Sequence, residues 1–292
     1  MTTSSRWFNK AIQGLRSFAY ARNGERPKIG LALGGGFARG IAHIGALRVF
    51  EENEIPIDCI AGTSVGALVA ATYASGTSLD EMQRQGAATH FRDFGRWTLS
   101  RYGMASNARL EDFLHKFTPA RTFEEMKIPL SIAASDLITG RSIHFTDGEI
   151  APPLRASCAY PGLFMPVEYR GYMLADGFLT EEAPAEAVRA LGAELVISIY
   201  LDPGLLDEKP RNTIEVISRS FSILQTHVTQ PWRGVTDFVI EPNVNHVLWY
   251  EFEKTPQLVA AGEEAARAVL PKIKAAIESW PMRLPRPRQA TR

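Results

Sequence analysis

Ile57-Asp58-Cys59-Ile60-Ala61-Gly62-Thr63-Ser64-Val65-Gly66 is a short apolar run that stops at a glycine, turns through a serine and leads into an Ala-rich helical pattern. The run over 57–61 reads as a buried strand, and 65–74 reads as the helix that follows it. G-x-S-x-G in that strand-turn-helix context is the pattern of a nucleophile elbow, where the two glycines let the backbone turn sharply around the serine. A serine that only caps a helix after a buried strand has the same local appearance.

One unit upstream, a strand over 28–33 runs into Gly34-Gly35-Gly36-Phe37-Ala38-Arg39-Gly40, and a second helical pattern follows over 40–52. Such a turn exposes backbone N–H groups at a helix N-terminus, which suits a phosphate or the oxyanion of an acyl-transfer intermediate. The same glycine pattern also occurs as a tight turn in dinucleotide-binding folds. A serine elbow directly downstream favours the oxyanion reading, because the two motifs then serve one reaction.

Further strands are expected over 130–134, 142–145, 194–201 and 238–240, with helices over 183–191, 213–229 and 255–278. Strands alternating with helices imply an α/β fold with a mostly parallel central sheet. The stretch 79–125 is polar, aromatic and weakly periodic, and reads as an irregular helical insertion of the kind that often forms a lid. Residues 27–280 are the expected folded domain. Before it, 1–26 carries Arg6, Lys10, Arg16, Arg22 and Arg26 among Trp7, Phe8, Ile12, Leu15, Phe18 and Tyr20, a basic amphipathic pattern suited to an anionic membrane surface or to packing on the domain. After it, 281–292 is a basic, Pro-rich tail expected to be disordered.

The chain of 292 residues is 45% hydrophobic and 22% charged, the balance of an ordinary globular protein. Its 32 basic residues match 32 acidic ones, so no global field draws it onto nucleic acid, and any membrane contact is local. Two cysteines, Cys59 and Cys158, are too few to staple a secreted fold and are expected to be reduced. With no signal-like or membrane-spanning apolar run, the expected location is cytoplasmic, with peripheral contact at the membrane through 6–26.

A serine nucleophile needs a base. His43, His90, His115 and His144 lie in settings that mark none of them, whereas His227 and His246 follow in the chain order of a Ser-Asp-His triad. Asp176 has the best local context among carboxylates, in Met173-Leu174-Ala175-Asp176-Gly177-Phe178. A plain Asp-Gly turn accounts for it equally, and Asp136 sits in a similar turn with no elbow nearby.

Taken together, Gly34 to Gly40, Gly62-Thr63-Ser64-Val65-Gly66 and Asp176-Gly177 resemble, in order and context, the patatin-like phospholipase family, bacterial branch. Ala156-Ser157-Cys158-Ala159-Tyr160-Pro161-Gly162 is similar to its serine-to-Pro-Gly segment, and the likeness extends over roughly 27–278. The resemblance implies a three-layer α/β/α fold, Ser64 as nucleophile, Asp176 as its base without a histidine, and an oxyanion hole at Gly34, Gly35 and Gly36. It also implies a lipid acyl-ester substrate and neither metal nor cofactor. Arg39, in the place of the family's basic residue, would hold the loop or attract a phosphate. Phe178, Glu181 and Glu182 depart from the family pattern, and two carboxylates near the base are expected to raise the negative potential there. An acyltransferase, a triad esterase using His227 or His246, and a silent acyl- or phosphate-binding module remain as alternatives.

Overall fold

Ile29–Leu33 (β1) and Cys59–Thr63 (β2) carry almost nothing polar, so both have to be covered on each face, and every residue in them is buried. They run parallel, with Gly30 opposite Cys59 and Leu33 opposite Gly62. The computed structural model describes residues 26–90, 93–98, 100–204, 209–227 and 230–280. Segment 1–26, apart from Arg26, and the tail 281–292 lie outside the described residues.

Among the described residues, eight strands form one sheet. On one side β1 pairs in parallel with Leu195–Ile199 (β9), which pairs with Phe238–Ile240 (β10). On the other, β2 pairs in parallel with Leu130–Asp136 (β5) through Ile60 opposite Leu130 and Thr63 opposite Ala133. Ser142–Phe145 (β6) then runs antiparallel along β5, from Ser135 opposite Ser142 to Ile132 opposite Phe145.

Tyr172–Asp176 (β8) is also antiparallel to β5, with Ala134 opposite Asp176 and Asp136 opposite Leu174. A strand has two edges. Ile132 gives one edge to β6 and the other to β2, while Ala134 gives one to β6 and the other to β8. Strands β2 and β8 therefore share a single edge of β5 and meet there end to end, running toward each other. Val167–Tyr169 (β7) pairs with β8 across Arg170 and Gly171, both at positive φ (50° and 82°), as a two-residue hairpin turn requires.

The side chains of β1 alternate between two cores, which is what makes the molecule three-layered. Ile29, Leu31 and Leu33 pack under Ala42–Glu52 (α1), Val65–Ala74 (α2) and the long Thr255–Glu278 (α9). Ala32 faces the opposite way and joins Cys59, Ala61 and Val196 beneath Val188 of Ala185–Ala190 (α6) and Trp232 of Trp232–Val235 (α8).

The strand expected over 57–61 is shifted to Cys59–Thr63, because Asp58 is used as a clasp. Its Oδ2 accepts from the Ile29 N–H at 2.7 Å, and its two oxygens accept from the Arg26 guanidinium at 2.6 and 2.8 Å. Arg26 is thus spent inside the domain, not offered to a membrane. The insertion over 79–125 contains helix Leu79–Ala88 (α3), the two-residue strands Arg96–Trp97 (β3) and Ala105–Ser106 (β4), and helix Arg109–Phe117 (α4). Ser78 caps α3 by accepting from the Glu81 N–H. Ala151–Ser157 (α5) was not expected as a helix; its prolines stand in the first turn, where no N–H donor is needed. No helix of the described residues is long and apolar enough to cross a membrane.

Helices α1 and α9 touch through glycines. A Cβ on Gly45 would overlap the Val259 carbonyl oxygen, and one on Gly262 would overlap that of Ala42. Gly262→Ala is expected to lower the free energy of unfolding by about 1–3 kcal/mol through overpacking. Urea denaturation measures it, and an unchanged midpoint would contradict this account of the crossing.

Candidate active site

Between the end of β2 and the start of α2 stands Ser64 alone, at φ 55° and ψ −128°, a conformation that costs a side-chain-bearing residue energy. Its neighbours hold it there. A Cβ on Gly66 would overlap the Leu33 and Gly34 carbonyl oxygens, and one on Gly62 would overlap the backbone of Ala67. The Ser64 N–H donates to Ser157 Oγ at 2.8 Å, and Ser157, the last residue of α5, is wholly buried. The Ser64 carbonyl accepts from the Ala67 N–H at 2.9 Å, which opens α2.

The register of β5 brings the partner. Thr63 stands opposite Ala133 and Asp176 opposite Ala134, so the residue following Thr63 meets the last residue of β8. The Ser64 hydroxyl donates to Asp176 Oδ2 at 2.7 Å, and the Phe178 N–H donates to Oδ1 at 3.1 Å. Asp176 is 1% exposed. Burial pushes its carboxyl up to about 7, against the bonds from Ser64 and Phe178, which favour the ionised form. Gly177 follows without a side chain because a Cβ would press on the Ala133 carbonyl oxygen.

Of the three glycines, Gly34 belongs to the sheet. Its N–H donates to the Ile199 carbonyl at 3.0 Å, so it is unavailable to an oxyanion, which corrects one of the three expected donors. Gly35 and Gly36 line the cavity over Ser64. The Gly35 N–H makes a long 3.4 Å bond to the Glu182 carbonyl, and the N–H groups of Gly36, Phe37 and Val65 have no acceptor among the described residues. Phe37 and Val65 were not singled out in the sequence. The rule that the amide after an elbow nucleophile faces the reacting oxygen would have found Val65.

Arg39 lines the same cavity, and its Nη1 donates to the Pro203 and Asp202 carbonyls at 2.6 and 3.3 Å, so it ties the loop to the segment after β9. Burial pulls its pKa down, opposed chiefly by the Asp202 carboxylate, and its Nε has no acceptor among the described residues.

Glu181 and Glu182 do not act on the base as expected. Glu181 Oε2 is taken by His144 at 2.6 Å and Ser142 at 3.2 Å, while Glu182 Oε2 accepts from Gln230 and Trp232 at 2.8 and 3.1 Å. Burial alone would lower the pKa of His144, and the Glu181 carboxylate more than offsets it. The two backbone carbonyls serve the site instead, accepting from Thr63 Oγ1 at 3.0 Å and from Gly35. Phe178 stacks on Tyr160 at 5.1 Å and meets Phe221 edge-on, walling the cavity.

No histidine of the described residues bonds to Ser64 or Asp176. His43 is buried against the Gly34 carbonyl at 2.9 Å, with its pKa lowered by burial to about 4. His227 and His246 are exposed and line none of the space around Ser64. Asp136 caps its own turn, accepting from Thr139 Oγ1 at 2.7 Å. Both cysteines are free, and no His, Cys, Asp and Glu cluster of the described residues could hold a metal.

A carboxyl whose folded pKa is raised stabilises the fold least when ionised. The cost of burying Asp176 is absent below its unfolded pKa of about 3.9, grows as pH rises, and is complete above about 7. Asp176→Asn, which removes the charge, is therefore expected to melt higher than the wild type at pH 8 and to lose that advantage as pH falls toward 4. Melting curves over this range check the sign; a constant offset would refute it.

The chain matches the model of the family described as Patatin-like phospholipase over residues 31–189. It is 32% identical to an uncharacterized NTE family protein of Mycobacterium tuberculosis over 205 residues, 68% of this chain and 57% of that protein. Over 231 residues it is 31% identical to Lysophospholipase NTE1 of Mycosarcoma maydis, covering 76% of this chain and 12% of that protein. It thus spans little more than half the length of the first relative and about an eighth of the second. VipD from Legionella pneumophila shares the fold, with a TM-score of 0.50 at 14% identity, over 85% of this chain and 67% of that one. The glycine loop, Ser64 and Asp176 all fall inside the matched residues, and the chain belongs to the patatin-like phospholipase family.

Proposed function

We propose that the chain is a serine acyl-ester hydrolase of the phospholipase A or lysophospholipase type, working through Ser64 and Asp176 without a histidine. The observation that carries this reading is the 2.7 Å bond from the Ser64 hydroxyl to Asp176 Oδ2 on a strained, fixed elbow. Ser64 Oγ attacks the acyl carbonyl as Asp176 takes its proton. The oxyanion that forms faces the N–H groups of Gly36, Phe37 and Val65, with Gly35 beside them, fixed donors that need no rearrangement when charge develops. Asp176 returns the proton to the departing alcohol. Water then attacks the acyl-serine, giving a proton to Asp176, and the acid leaves as Ser64 Oγ is reprotonated.

An aspartate is a poor base at its ordinary pKa, and burial corrects this by bringing Asp176 to about 7. The base must be ionised, so kcat/KM for a soluble p-nitrophenyl ester is expected to rise with pH through about 7 and then level off. Asp176→Asn is expected to cost about 10²- to 10⁴-fold. His227→Ala and His246→Ala should remain near wild type, and Ser64→Ala should abolish labelling by a fluorophosphonate. Collapse of either histidine variant with Asp176→Asn still active would replace the pair by a triad.

Ser64 also borders a second, apolar cavity, walled by Val65, Leu68, Phe94, Leu110, Phe164 and Phe252. Phe94 and Leu110 come from the insertion, which here supplies a wall and not an isolated lid. We assign the acyl chain to this cavity, since an apolar recess opening on the nucleophile favours an alkyl tail. Contact with an anionic bilayer is assigned to residues 6–22, whose basic and aromatic residues would reach the surface while Arg26 stays clasped to Asp58.

Leu68→Trp would fill part of the acyl cavity. It is expected to lower kcat/KM for long-chain esters about 10-fold or more, with little change for acetate esters. A uniform loss at all chain lengths would place the acyl chain elsewhere.

A further inference from the structure

Ten large apolar side chains of the described residues are exposed, and six of them come from two elements. Trp97, Tyr102 and Met104 belong to the hairpin of β3 and β4, and Val216, Ile223 and Leu224 to helix Thr213–His227 (α7). Apolar residues scattered singly over a surface are ordinary, whereas a cluster calls for a partner. The two elements are neighbours, because they grip consecutive residues of one segment. The Met104 and Ala105 N–H groups both donate to the Leu163 carbonyl, at 3.1 and 2.9 Å, and a Cβ on Gly162 would press on Ile217 of α7. Phe164, the next residue, walls the apolar cavity at Ser64, while Phe221 of α7 walls the cavity over it. The exposed cluster thus flanks both spaces that meet at Ser64.

Helix α7 is apolar on two sides. Ile214, Ile217 and Phe221 pack against the core, yet none of its residues is buried, and Val216, Ile223 and Leu224 share a face turned to solvent, at the spacing i, i+7, i+8. A helix with apolar residues around so much of its circumference is suited to apolar surroundings on both sides. Charge narrows what those surroundings are. From Phe94 to Leu110 the chain has Arg96, Arg101 and Arg109 and no carboxylate, and from Val216 to His227 it has Arg219 and again none. The Arg101 guanidinium lies over the Tyr102 ring, 4.8 Å from its centre. A second copy of the chain seated symmetrically here would set these arginines against their own images, which is unfavourable. Trp and Tyr rings among arginines match the boundary of an anionic bilayer instead, with the rings at the acyl margin and the cations among the headgroups.

We propose that the β3–β4 hairpin and the outer face of α7 form a docking surface for an anionic lipid bilayer, built into the folded domain and separate from residues 6–22. The proposal concerns attachment and does not rest on the chemistry at Ser64. Trp97 and Leu224 serve as apolar anchors from the two elements, and Arg96 and Arg101 supply the attraction to negative headgroups.

The test is sedimentation with vesicles of phosphatidylcholine and phosphatidylglycerol, using the full chain with Ser64→Ala so that the lipid stays intact. Residues 6–22 are the same in every chain compared, so any difference belongs to the proposed face. Adding Trp97→Ser/Leu224→Ser is expected to lower the partition coefficient about 10-fold or more, since both anchors leave the apolar layer. Adding Arg96→Gln/Arg101→Gln is expected to weaken binding to these vesicles about 10-fold at low salt, and to change nothing on vesicles of phosphatidylcholine alone. Both pairs should melt as the parent does, because all four side chains are exposed. Should the serine pair melt lower, the arginine pair decides, a loss confined to the anionic vesicles supporting the surface and no loss overturning it. An unchanged partition coefficient in both pairs overturns the proposal and leaves the hydrolase reading intact. A parent chain that is dimeric without lipid and becomes monomeric in Trp97→Ser/Leu224→Ser would give the face to a second copy, and overturns the proposal as well.

Discussion

The site depends on one edge of one strand. Strand β5 offers an edge that β2 occupies only as far as Ala133, and β8 comes along it from the opposite direction as far as Ala134. Two chain segments running head-on along the same ladder must each turn away where they meet, and each turn carries one partner of the Ser64–Asp176 hydrogen bond. The elbow at Ser64 and the Asp-Gly turn at Asp176 are thus two solutions to the same collision. Hydrogen bonding of the ladder fixes the spacing of their backbones, with Thr63 opposite Ala133 and Asp176 opposite Ala134. Ser135 fastens the junction from below, its hydroxyl donating to the Asp176 carbonyl at 2.9 Å.

Much of this was legible in the sequence wherever a local backbone constraint leaves a residue-type mark. Gly62, Gly66 and Gly177 are glycines because backbone oxygens or atoms occupy the space of a Cβ, and such positions read directly as turns. What depends on register was not legible. Nothing about Gly34 itself reveals that β9 would arrive alongside to take its N–H through Ile199, leaving Gly36 and Phe37 with N–H groups that have no acceptor among the described residues. The strand character of β8 is muted, since it is only five residues long and ends on Asp176, although Arg170-Gly171 is the kind of pair a tight hairpin uses. Ser157 looked like one small residue among several, and its hydroxyl matters only because folding sets α5 against the elbow.

The departures at Glu181 and Glu182 follow the same logic. On a sequence they read as added charge near the base, yet their side chains are absorbed by His144, Ser142, Gln230 and Trp232. Their main-chain oxygens brace Thr63 and the glycine loop from the face opposite α2. The elbow is therefore gripped by Ser157 of α5 and by the segment that precedes α6. The acidity of Asp176 is left to burial, a cause that neighbouring charges do not readily disturb.

Ser64 and Asp176 are 112 residues apart in the chain. Contacts of such span are the slow ones to form, because the entropy of closing the intervening loop is lost before the contact returns any stability. A nascent chain emerging N-terminus first would present the glycine loop and the elbow long before β8 exists, and β9, which pairs with β1 at the centre of the sheet, later still. Until β8 docks, Ser64 lacks its hydrogen bond to Asp176. Under the reaction proposed above, reactivity toward esters would in this way wait for completion of the sheet.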